Sequence, residues 1–514
     1  MGNLAFYISC CMCLAFLSIL VKFLKEVWWK PIRIQSMMRS QGIRGPSYKF
    51  IHGNTKEIIN MRKSVQSTPM ELSHHELLPI VQPHIHAWIK LYGMTFMYWH
   101  GSQAQLVVTE PDLIKEILNN KNGAFPKRNL PVYMKKLLGD GIVAANGEKW
   151  FKLRKLSNHA FHAECLKSMI PAMIASVEVM LKRWRQHDGK EIDVFQEFKL
   201  LTSEIISRTA FGSSYLEGQH VFDMLTKMGD IIVRNHYKIT IPGIGKFVKM
   251  RDDIESDKLE QEMRNCFINM IKNREKAATE GKWGDFGSDF LGILLLAHHE
   301  TDEAKRISVE DIIDECKTFY FAGHETTRTS LTWTVLLLAF HTDWQDKARR
   351  EVLELFGMQN IPNPEGITKL KTVSMIINET IRLYSPAIHI PRMVRKEVRL
   401  GKLIIPANTD IYIPLVVVHH NPEIWGEDAH LFKPERFADG VAKATNNNMN
   451  AFLPFGLGPR SCVGLNFSFT ETKIALAMIL QHYRFTLSPT YIHSPAHLLT
   501  MSPRHGVQIM LETL

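Results

Sequence analysis

The decisive stretch is Phe455-Gly-Leu-Gly-Pro-Arg-Ser-Cys-Val-Gly464, which presents one cysteine, Cys462, from a loop. Three glycines and a proline within ten residues exclude a helix or a regular strand. The residues that follow, Leu465 to His482, have helical periodicity, so the cysteine precedes the N-terminus of a helix. Backbone N–H groups and the positive end of that helix favour a thiolate. A thiolate in a glycine-lined niche is a soft metal ligand that a flat macrocycle can approach closely.

Taken alone, a cysteine after a turn is most often a buried free thiol. The whole pattern F-x-x-G-x-R-x-C-x-G changes that interpretation, because all five of its positions are matched. They are Phe455, Gly458, Arg460, Cys462 and Gly464. This pattern is the haem-binding signature of the cytochrome P-450 family, which the chain strongly resembles. The resemblance implies that Cys462 is the protein ligand to the iron of haem b and that the other four positions surround the cofactor.

The composition of the 514-residue chain suits a large globular protein. Its net charge of +10 favours acidic surfaces, such as anionic lipid or an acidic protein partner. We find neither a basic recognition helix nor zinc-finger spacing, so we exclude nucleic acid as a partner. The seven cysteines form no dense framework, which indicates a reducing compartment without structural disulfides.

An uncharged apolar run, Leu4 to Val21, predicts a membrane anchor. Its eighteen residues are near the lower limit for spanning a bilayer, which is about 17 residues. A cleaved signal peptide would have a basic start and a small-residue cleavage site, and neither is present. Basic residues from Lys22 onward follow the run, and such flanks stay cytosolic. We therefore expect a single-pass anchor in the endoplasmic reticulum membrane. The predicted divisions are a lumenal segment 1–3, a transmembrane signal anchor 4–21, a basic linker 22–46 and a cytosolic catalytic domain 47–514.

Trp150 and Arg154 are four residues apart and share one face of a predicted helix. On their own they would be an ordinary aromatic–cation pair. In the cytochrome P-450 family, a W-x-x-x-R pair at this distance before the cysteine loop hydrogen-bonds a haem propionate. The resemblance implies the same role here, and it assigns Arg392 and Arg460 to the propionates as well.

A long helix is predicted from Ser308, which opens a capping box, to about Phe340. Midway lies Ala322-Gly-His-Glu-Thr-Thr327, where a glycine beside two β-branched residues weakens the helix, by about 1 kcal/mol for the glycine alone. We expect a local distortion at this point. Two other interpretations exist: the threonines could simply bond back to preceding carbonyls, and His-Glu could begin a zinc-protease motif. The second is excluded, because Arg328 occupies the position that would need a histidine.

The same stretch matches the A-G-x-D/E-T motif of the family at Ala322, Gly323, Glu325 and Thr326. The resemblance implies that this part of the helix lies over the haem, with Ala322 and Gly323 against the cofactor. It further implies that Thr326 hydrogen-bonds oxygen and that Glu325 helps to relay protons to it.

The resemblance also implies a structural triad and a substrate pocket. Glu379 and Arg382, three apart on a helix, would be joined by Arg436 of a P-E-R-F motif; as a simple surface ion pair they would contribute little. The implied pocket residues are Thr318, Phe319, Ala387, Ile388 and Thr500. These are apolar or hydroxylic, so we expect a largely apolar substrate. Any carboxylate on it should lie at the mouth, near Lys127, Arg128, Lys135 or Lys136.

The fold implied for residues from about 45 onward is mostly α with a small β lobe, behind a single N-terminal transmembrane helix. The implied function is monooxygenation with O₂ and with electrons from NADPH through a membrane-bound cytochrome P-450 reductase. Local details resemble the plant group that oxidises hormones and terpenoids, although Leu465 and Ser468 depart from the usual sequence after the cysteine. Two alternatives stay open: a haem-thiolate isomerase or dehydratase, and a non-enzymatic haem-binding membrane carrier or sensor. Relatives of the first kind tend to lack the helix threonine, which is present here as Thr326.

Overall fold

Helices form most of the computed structural model, which describes residues 2–65, 69–213, 215–239, 249–281 and 285–514. The α-helices are α1 Gly2–Leu24, α2 Lys30–Ser40, α3 Thr55–Val65, α4 Leu78–Val81, α5 Pro83–Tyr92, α6 Pro111–Leu118, α7 Val132–Leu138, α8 Gly147–Ala160, α9 Ala163–Trp184, α10 Val194–Phe211, α11 Tyr215–Asn235, α12 Arg251–Thr279, α13 Phe290–His298, α14 Val309–Phe340, α15 Thr342–Phe356, α16 Pro364–Lys369, α17 Lys371–Leu383, α18 Leu415–His419, α19 Pro422–Trp425, α20 Gly440–Ala444 and α21 Leu465–His482. The strands are β1 Phe96–His100, β2 Gln103–Val107, β3 Glu191–Asp193, β4 His389–Val394, β5 Val398–Leu400, β6 Leu403–Ile405, β7 Thr409–Pro414, β8 Tyr483–Leu487, β9 Pro495–His497, β10 Met501–Pro503 and β11 Gln508–Thr513. The mostly α architecture with a small β part is as the sequence predicts.

The largest sheet has the strand order β1-β2-β7-β4. Strands β1 and β2 form an antiparallel hairpin in which Phe96 pairs with Val107, while β7 runs parallel to β2 and antiparallel to β4. Strand β4 carries Arg392, so the sheet fixes the position of one predicted site residue. A second sheet, β3-β11-β8, pairs the short strand β3 with two strands near the C-terminus, where the hairpin β9-β10 also lies.

Helix α14 begins and ends where the sequence predicts. The hydroxyl of Ser308 accepts the Asp311 N–H at 3.1 Å, and the Asp311 carboxylate accepts the Ser308 N–H at 2.9 Å, which completes the capping box. The predicted distortion is absent, because α14 is one uninterrupted α-helix of 32 residues. Its glycine serves helix packing instead: a Cβ on Gly323 would stand 2.6 Å from Cδ1 of Ile206 on α10.

The N-terminal helix α1 continues through a π-helical segment, Lys25–Trp29, into α2. The helical span Phe6–Ser40 is long and apolar enough to cross a membrane, and none of its most apolar part is buried in the protein. Met1, part of the predicted lumenal segment 1–3, lies outside the described residues.

The predicted linker 22–46 differs from the structure. Ile34 and Met38, four apart on one face of α2, are buried in the core around the largest sheet. Val27 is buried too, and its carbonyl accepts the hydroxyl of Tyr48. The folded unit therefore begins well before residue 47, because α2 supplies apolar side chains that cover the sheet.

Candidate functional site

The loop before α21 holds Cys462 in a fixed position. The Cys462 N–H donates to the Phe455 carbonyl at 2.8 Å, which closes the loop on itself. Gly458 has a φ of +73°, and a Cβ there would lie 2.4 Å from Oδ1 of Asn119, so only glycine fits. A Cβ on Gly464 would stand 3.9 Å from the sulfur, which is an ordinary van der Waals contact, so Gly464 borders Cys462 without crowding it. The sulfur is exposed to a cavity enclosed by the fold.

The environment of the thiol only partly matches the expectation of a stabilised thiolate. Burial raises the pKa of Cys462, although the Gly464 N–H and the charge of Arg154 act in the opposite direction. Burial is the larger effect, so the peptide environment by itself does not favour the ionised sulfur. A bound metal cation would reverse this preference, since a coordinated thiol is deprotonated.

The cavity lies between the cysteine loop and α14, and most of its walls are apolar. From the loop and α21 come Phe455, Ser461, Cys462, Val463, Gly464, Phe467 and Ser468. From α14 come Thr318, Phe319, Ala322, Gly323, Thr326 and Thr327. The side walls are Ile142, Val143, Trp150, Phe161 and Ile206, together with three cations, Lys127, Arg154 and Arg460. A flat, mainly apolar cofactor that carries anionic groups at one edge matches this lining.

The cations gather without acidic partners. Arg460 lies over the ring of Trp150, 4.2 Å from its centroid, and donates to the Ala145 carbonyl at 2.7 Å. Arg154 donates to the carbonyl of Ser461. Among the described residues, no carboxylate forms an ion pair with Lys127, Arg154, Arg392 or Arg460.

Burial and mutual repulsion lower the pKa values of three of these cations. Burial, with the charges of Arg392 and Arg460, lowers the pKa of Lys127 to about 7. Burial and then the charge of Arg460 lower that of Arg392 to about 10. Burial and the charge of Arg154 lower that of Arg460 to about 10. Desolvated cations that repel one another need an anion, and the two propionates of a haem would supply it.

Thr326 and Glu325 are neighbours in sequence but point to different places. The Thr326 hydroxyl faces the cavity and donates to the Ala322 carbonyl at 2.7 Å. The buried Glu325 carboxylate accepts hydrogen bonds from Arg328 at 2.6 Å and from the Thr500 hydroxyl at 2.9 Å. The back-bonding interpretation of the threonine thus describes this geometry, while Glu325 lies behind the cavity wall.

Several predicted site residues lie outside the cavity lining. Thr500 is the partner of Glu325, and Ile388 is buried in the core of the helical part. Ala387 is exposed, and Arg392 approaches the cavity only through its neighbours Lys127 and Arg460. Lining residues that the sequence analysis did not name include Phe161, Ile206 and Phe467. No local pattern marks these three, because their position depends on the packing of distant helices.

The structure also places the predicted triad together. Arg382 donates to both carboxylate oxygens of Glu379, at 2.7 and 2.8 Å, and Nε of Arg436 lies 3.6 Å from the same carboxylate. Arg382 further donates to the carbonyls of His419 and Ala429, both at 2.7 Å. These contacts join α17 to the segment before the cysteine loop, at a distance from the cavity lining.

The predicted cations at the mouth are largely engaged already. Arg128 pairs with Asp410 at 2.9 Å, Lys136 donates to Ser256 at 2.7 Å and pairs with Asp257, and Lys127 faces Arg392 and Arg460. Only Lys135 is exposed. Three of the four cations expected near a substrate carboxylate therefore have acidic partners or face the cofactor site, and the expectation stays a prediction for Lys135.

A cysteine that faces a mainly apolar cavity, with cations that have no acidic partner among the described residues and a long helix along one wall, is typical of a haem-thiolate protein. Residues 78–509 match the cytochrome P-450 family. Similar proteins include cytochrome P-450 CYP749A22 of Panax ginseng, 59% identical over 98% of this chain and 96% of that protein. Others are cytochrome P-450 734A1 of Arabidopsis thaliana, 40% identical over 96% and 95%, and the 11-oxo-beta-amyrin 30-oxidase of Glycyrrhiza uralensis, 40% identical over 95% and 94%. This chain belongs to the cytochrome P-450 family. It is a haem-iron monooxygenase that uses haem b and electrons from a redox partner.

Proposed function

We propose that this protein hydroxylates a small, largely apolar metabolite of terpenoid or hormone type at an unactivated C–H bond. The observation that carries this proposal is the lining of the cavity. Apart from three cations suited to propionates, the walls are apolar or hydroxylic, and their largest apolar side chains are aromatic: Trp150, Phe161, Phe319, Phe455 and Phe467. Burial of a charged group against such walls without a partner would cost several kcal/mol.

We propose the following roles for the residues of the site. Cys462 would hold the iron, and Trp150, Arg154, Arg392 and Arg460 would hold the propionates, with Lys127 as a further cation. When bound, haem supplies the activation of O₂ and the insertion of one oxygen atom into the substrate. Phe455, Gly458 and Gly464 shape the loop that would receive the macrocycle, and Ala322 and Gly323 would contact it from α14.

The protein's own part in proton delivery would rest on Thr326 and Glu325. The Thr326 hydroxyl, now bonded to the Ala322 carbonyl, can turn its proton toward the cavity, since it already lines that space. Glu325 lies one residue away, and it can exchange protons through Thr500, whose hydroxyl also contacts Thr329 at 3.2 Å. Glu379, Arg382 and Arg436 have a structural role in this scheme.

The cellular setting is also proposed. The N-terminal helix has the length and composition of an anchor, and the lysines that follow it favour a cytosolic catalytic domain on the endoplasmic reticulum membrane. A membrane-bound NADPH–cytochrome P-450 reductase would then supply the electrons. The amyrin-type substrate in the name of one relative supports a terpenoid.

The test is turnover of a terpenoid and hormone panel in microsomes that contain this protein, a reductase and NADPH. We expect a hydroxylated product that depends on NADPH, and a red-shifted Soret band of the reduced carbon monoxide complex that is lost in Cys462→Ala. An isomerase would instead rearrange added peroxides without NADPH, and that result would contradict the proposal.

The role of Thr326 is tested in the same microsomes. Thr326→Ala should keep the carbon monoxide band and substrate binding, but it should give less product per NADPH and more hydrogen peroxide, because proton delivery is disordered. Thr326→Ser is the matched control, since it retains the hydroxyl. Equal product per NADPH in the alanine variant and the parent protein would show that Thr326 is only a helix residue.

A further inference from the structure

Two adjoining cavities on the far side of the β lobe have no assigned role. They lie where the end of α3, the segment after α11 and the hairpin β9-β10 meet, and both are lined by Arg62, His497 and Arg504. Other polar groups on their walls are Lys63, His236, Tyr237 and Ser494. None of the described residues that line either cavity is an aspartate or a glutamate.

We term these two adjoining cavities together the outer cavity, and Arg62 makes several of its contacts. Its Nη2 donates to the His497 carbonyl at 2.8 Å, and its Nη1 lies 3.3 Å from Nδ1 of the same histidine. The guanidinium carbon stands 5.2 Å from the centroid of the Tyr237 ring, and the rings of His236 and His497 are 5.4 Å apart. These contacts hold the guanidinium in place while leaving its charge without an acidic partner among the described residues.

The positive charges around Arg62 repel one another. Burial and then the charge of Arg62 lower the pKa of Arg504, and burial with Arg62 and Arg128 lowers that of His236 to about 4. A cavity whose polar walls are cations, imidazoles and hydroxyls is suited to an anion. A carboxylate would be held by charge-assisted hydrogen bonds to Arg62 and Arg504.

His389 packs beside the outer cavity and is close to a charged residue of the haem cavity. The rings of His389 and His497 are 6.4 Å apart, and His389 stacks on Tyr412 with centroids 4.3 Å apart. Besides burial, the charges that lower the pKa of His389 to about 3 belong to His236, Arg128 and Lys127. Lys127 also lines the haem cavity, so one charged residue of that cavity is near enough to His389 to affect its pKa.

The hairpin β9-β10 gives a second indication of the distance between the outer cavity and the haem cavity. Thr500, which bonds Glu325 beside Thr326, follows His497 by three residues. Three extended residues span at most roughly 10 Å. A fused-ring skeleton of that size could therefore reach from the outer cavity toward the face of α14 that carries Thr326.

We propose that the outer cavity binds the carboxylate of the substrate, so that the preferred substrate is an acid with an otherwise apolar skeleton. This inference rests on the proposed function, and it names the group that orients the substrate. The carboxylate lies against Arg62 and Arg504, and the apolar body extends inward past Leu498 to the haem cavity. Oxidation then takes place at the end of the skeleton remote from the acid.

The test compares matched acids and esters on the full-length, haem-loaded protein. Dissociation constants are measured by calorimetry for hexadecanoic, abietic and oleanolic acids and for their methyl esters, which cover linear, tricyclic and pentacyclic skeletons. We expect at least one acid to bind about tenfold more tightly than its ester, as charge-assisted hydrogen bonds allow. In Arg62→Gln and in Arg504→Gln this ratio should fall toward one, while Arg62→Lys should retain part of it.

Arg395→Gln is the matched control, because it removes one arginine from an exposed turn after β4. Haem absorbance verifies folding, and the exposed Arg504 provides a second variant in case loss of the Arg62 bonds impairs it. If no acid is preferred over its ester, or if the ratio is unchanged in both glutamine variants, the proposal is wrong.

Flotation with phosphatidylcholine vesicles, with and without phosphatidylserine, separates a lipid headgroup from a substrate. If the glutamine variants weaken only the binding to anionic vesicles and keep the preference for the acid, the cavity binds lipid and the proposal is overturned. NADPH-dependent product formation is measured separately. A protein that oxidises substrates without preferring acids would therefore refute this site and leave the proposed function intact.

Discussion

Arg328 supplies the counter-charge for the buried carboxylate of Glu325. Its carboxylate is buried between Arg328, at 2.6 Å, and the Thr500 hydroxyl, at 2.9 Å. Removing the cation leaves a buried carboxylate without its counter-charge, which destabilises the fold. We expect Arg328→Met to lower the free energy of unfolding by about 3 kcal/mol.

Urea denaturation of the haem-loaded protein measures this loss. The control is Arg395→Met, because that arginine is exposed and should cost little. A loss in the Arg328 variant that is no larger than in the control would show that the ion pair is not a determinant of stability. Arg328 also stacks on Phe195, 4.0 Å from its centroid, so methionine is chosen to keep some of that apolar contact.

At the scale of residues, the sequence predicted what local patterns encode. The loop residues Phe455, Gly458, Arg460, Cys462 and Gly464 lie within ten positions, so their relation could be seen directly. The crowding of Lys127, Arg392 and Arg460 could not, because three distant segments bring them together. Arg62 and Arg504 belong to the same category, since nothing in either segment marks a cavity.

At the scale of elements, the contact of α14 with the loop before α8 depends on a buried acid. Glu315 accepts a hydrogen bond from the N–H of Ile142, a residue of the haem cavity wall. Burial raises the pKa of Glu315 to about 8; Asp311 and Asp314 add to the rise, and Lys149 and the Ile142 N–H oppose it. The folded-state pKa is therefore above the usual value of about 4.3 for the unfolded chain.

The sign of the pH dependence follows from that difference. The folded protein binds the Glu315 proton more tightly than the unfolded chain does, so this stabilisation is complete below about pH 4 and declines as the pH rises toward 8. In Glu315→Gln, which keeps an acceptor for the Ile142 N–H, we expect the free energy of unfolding to fall less steeply between pH 5 and pH 8.

Chemical denaturation at several pH values gives that slope. Glu310→Gln is the control, because Glu310 is exposed on the same helix and should leave the slope unchanged. A Glu315→Gln protein with the slope of the parent would mean that this carboxyl does not stay protonated in the folded protein.

Element boundaries were predictable where end signals are local. The capping box at Ser308 and the loop before Leu465 mark helix starts by residue type, and both helices begin there. The interior of α14 was not predicted, because the expected distortion assumed that glycine and threonine weaken the helix. Contact with Ile206 gives Gly323 a packing role instead, which is a tertiary effect.

At the scale of the whole molecule, the sequence predicts the overall architecture and the cofactor class but not the ring cluster around His389. The mostly helical architecture is implied by the resemblance to the cytochrome P-450 family, and the cofactor class is implied by the motif of one loop. The histidine and tyrosine rings around His389 come from β4, β7, β9 and the segment after α11, and Arg62 of α3 contacts one of them. Such a cluster cannot be inferred without the topology. The same is true of α2, whose charge suggested a linker but whose apolar face covers the sheet.

The packing of α2 leads to the last prediction, which concerns where the folded unit begins. A chain that starts at Lys25 keeps Val27, Ile34 and Met38, whereas one that starts at Gly45 loses all three buried side chains. Each buried apolar side chain contributes roughly 1.5–3 kcal/mol, so the shorter chain should be less stable by several kcal/mol.

We expect the chain from Lys25 to load haem and to detach from membranes more readily than the full-length protein. The chain from Gly45 should load less haem and unfold at lower urea concentration, as read from the carbon monoxide band and from denaturation curves. The control is Ile34→Ala with Met38→Ala in the full-length protein, which truncates two of these three side chains without removing the anchor. Equal stability of the two shortened chains would show that α2 belongs to the anchor alone and that the fold begins near residue 47.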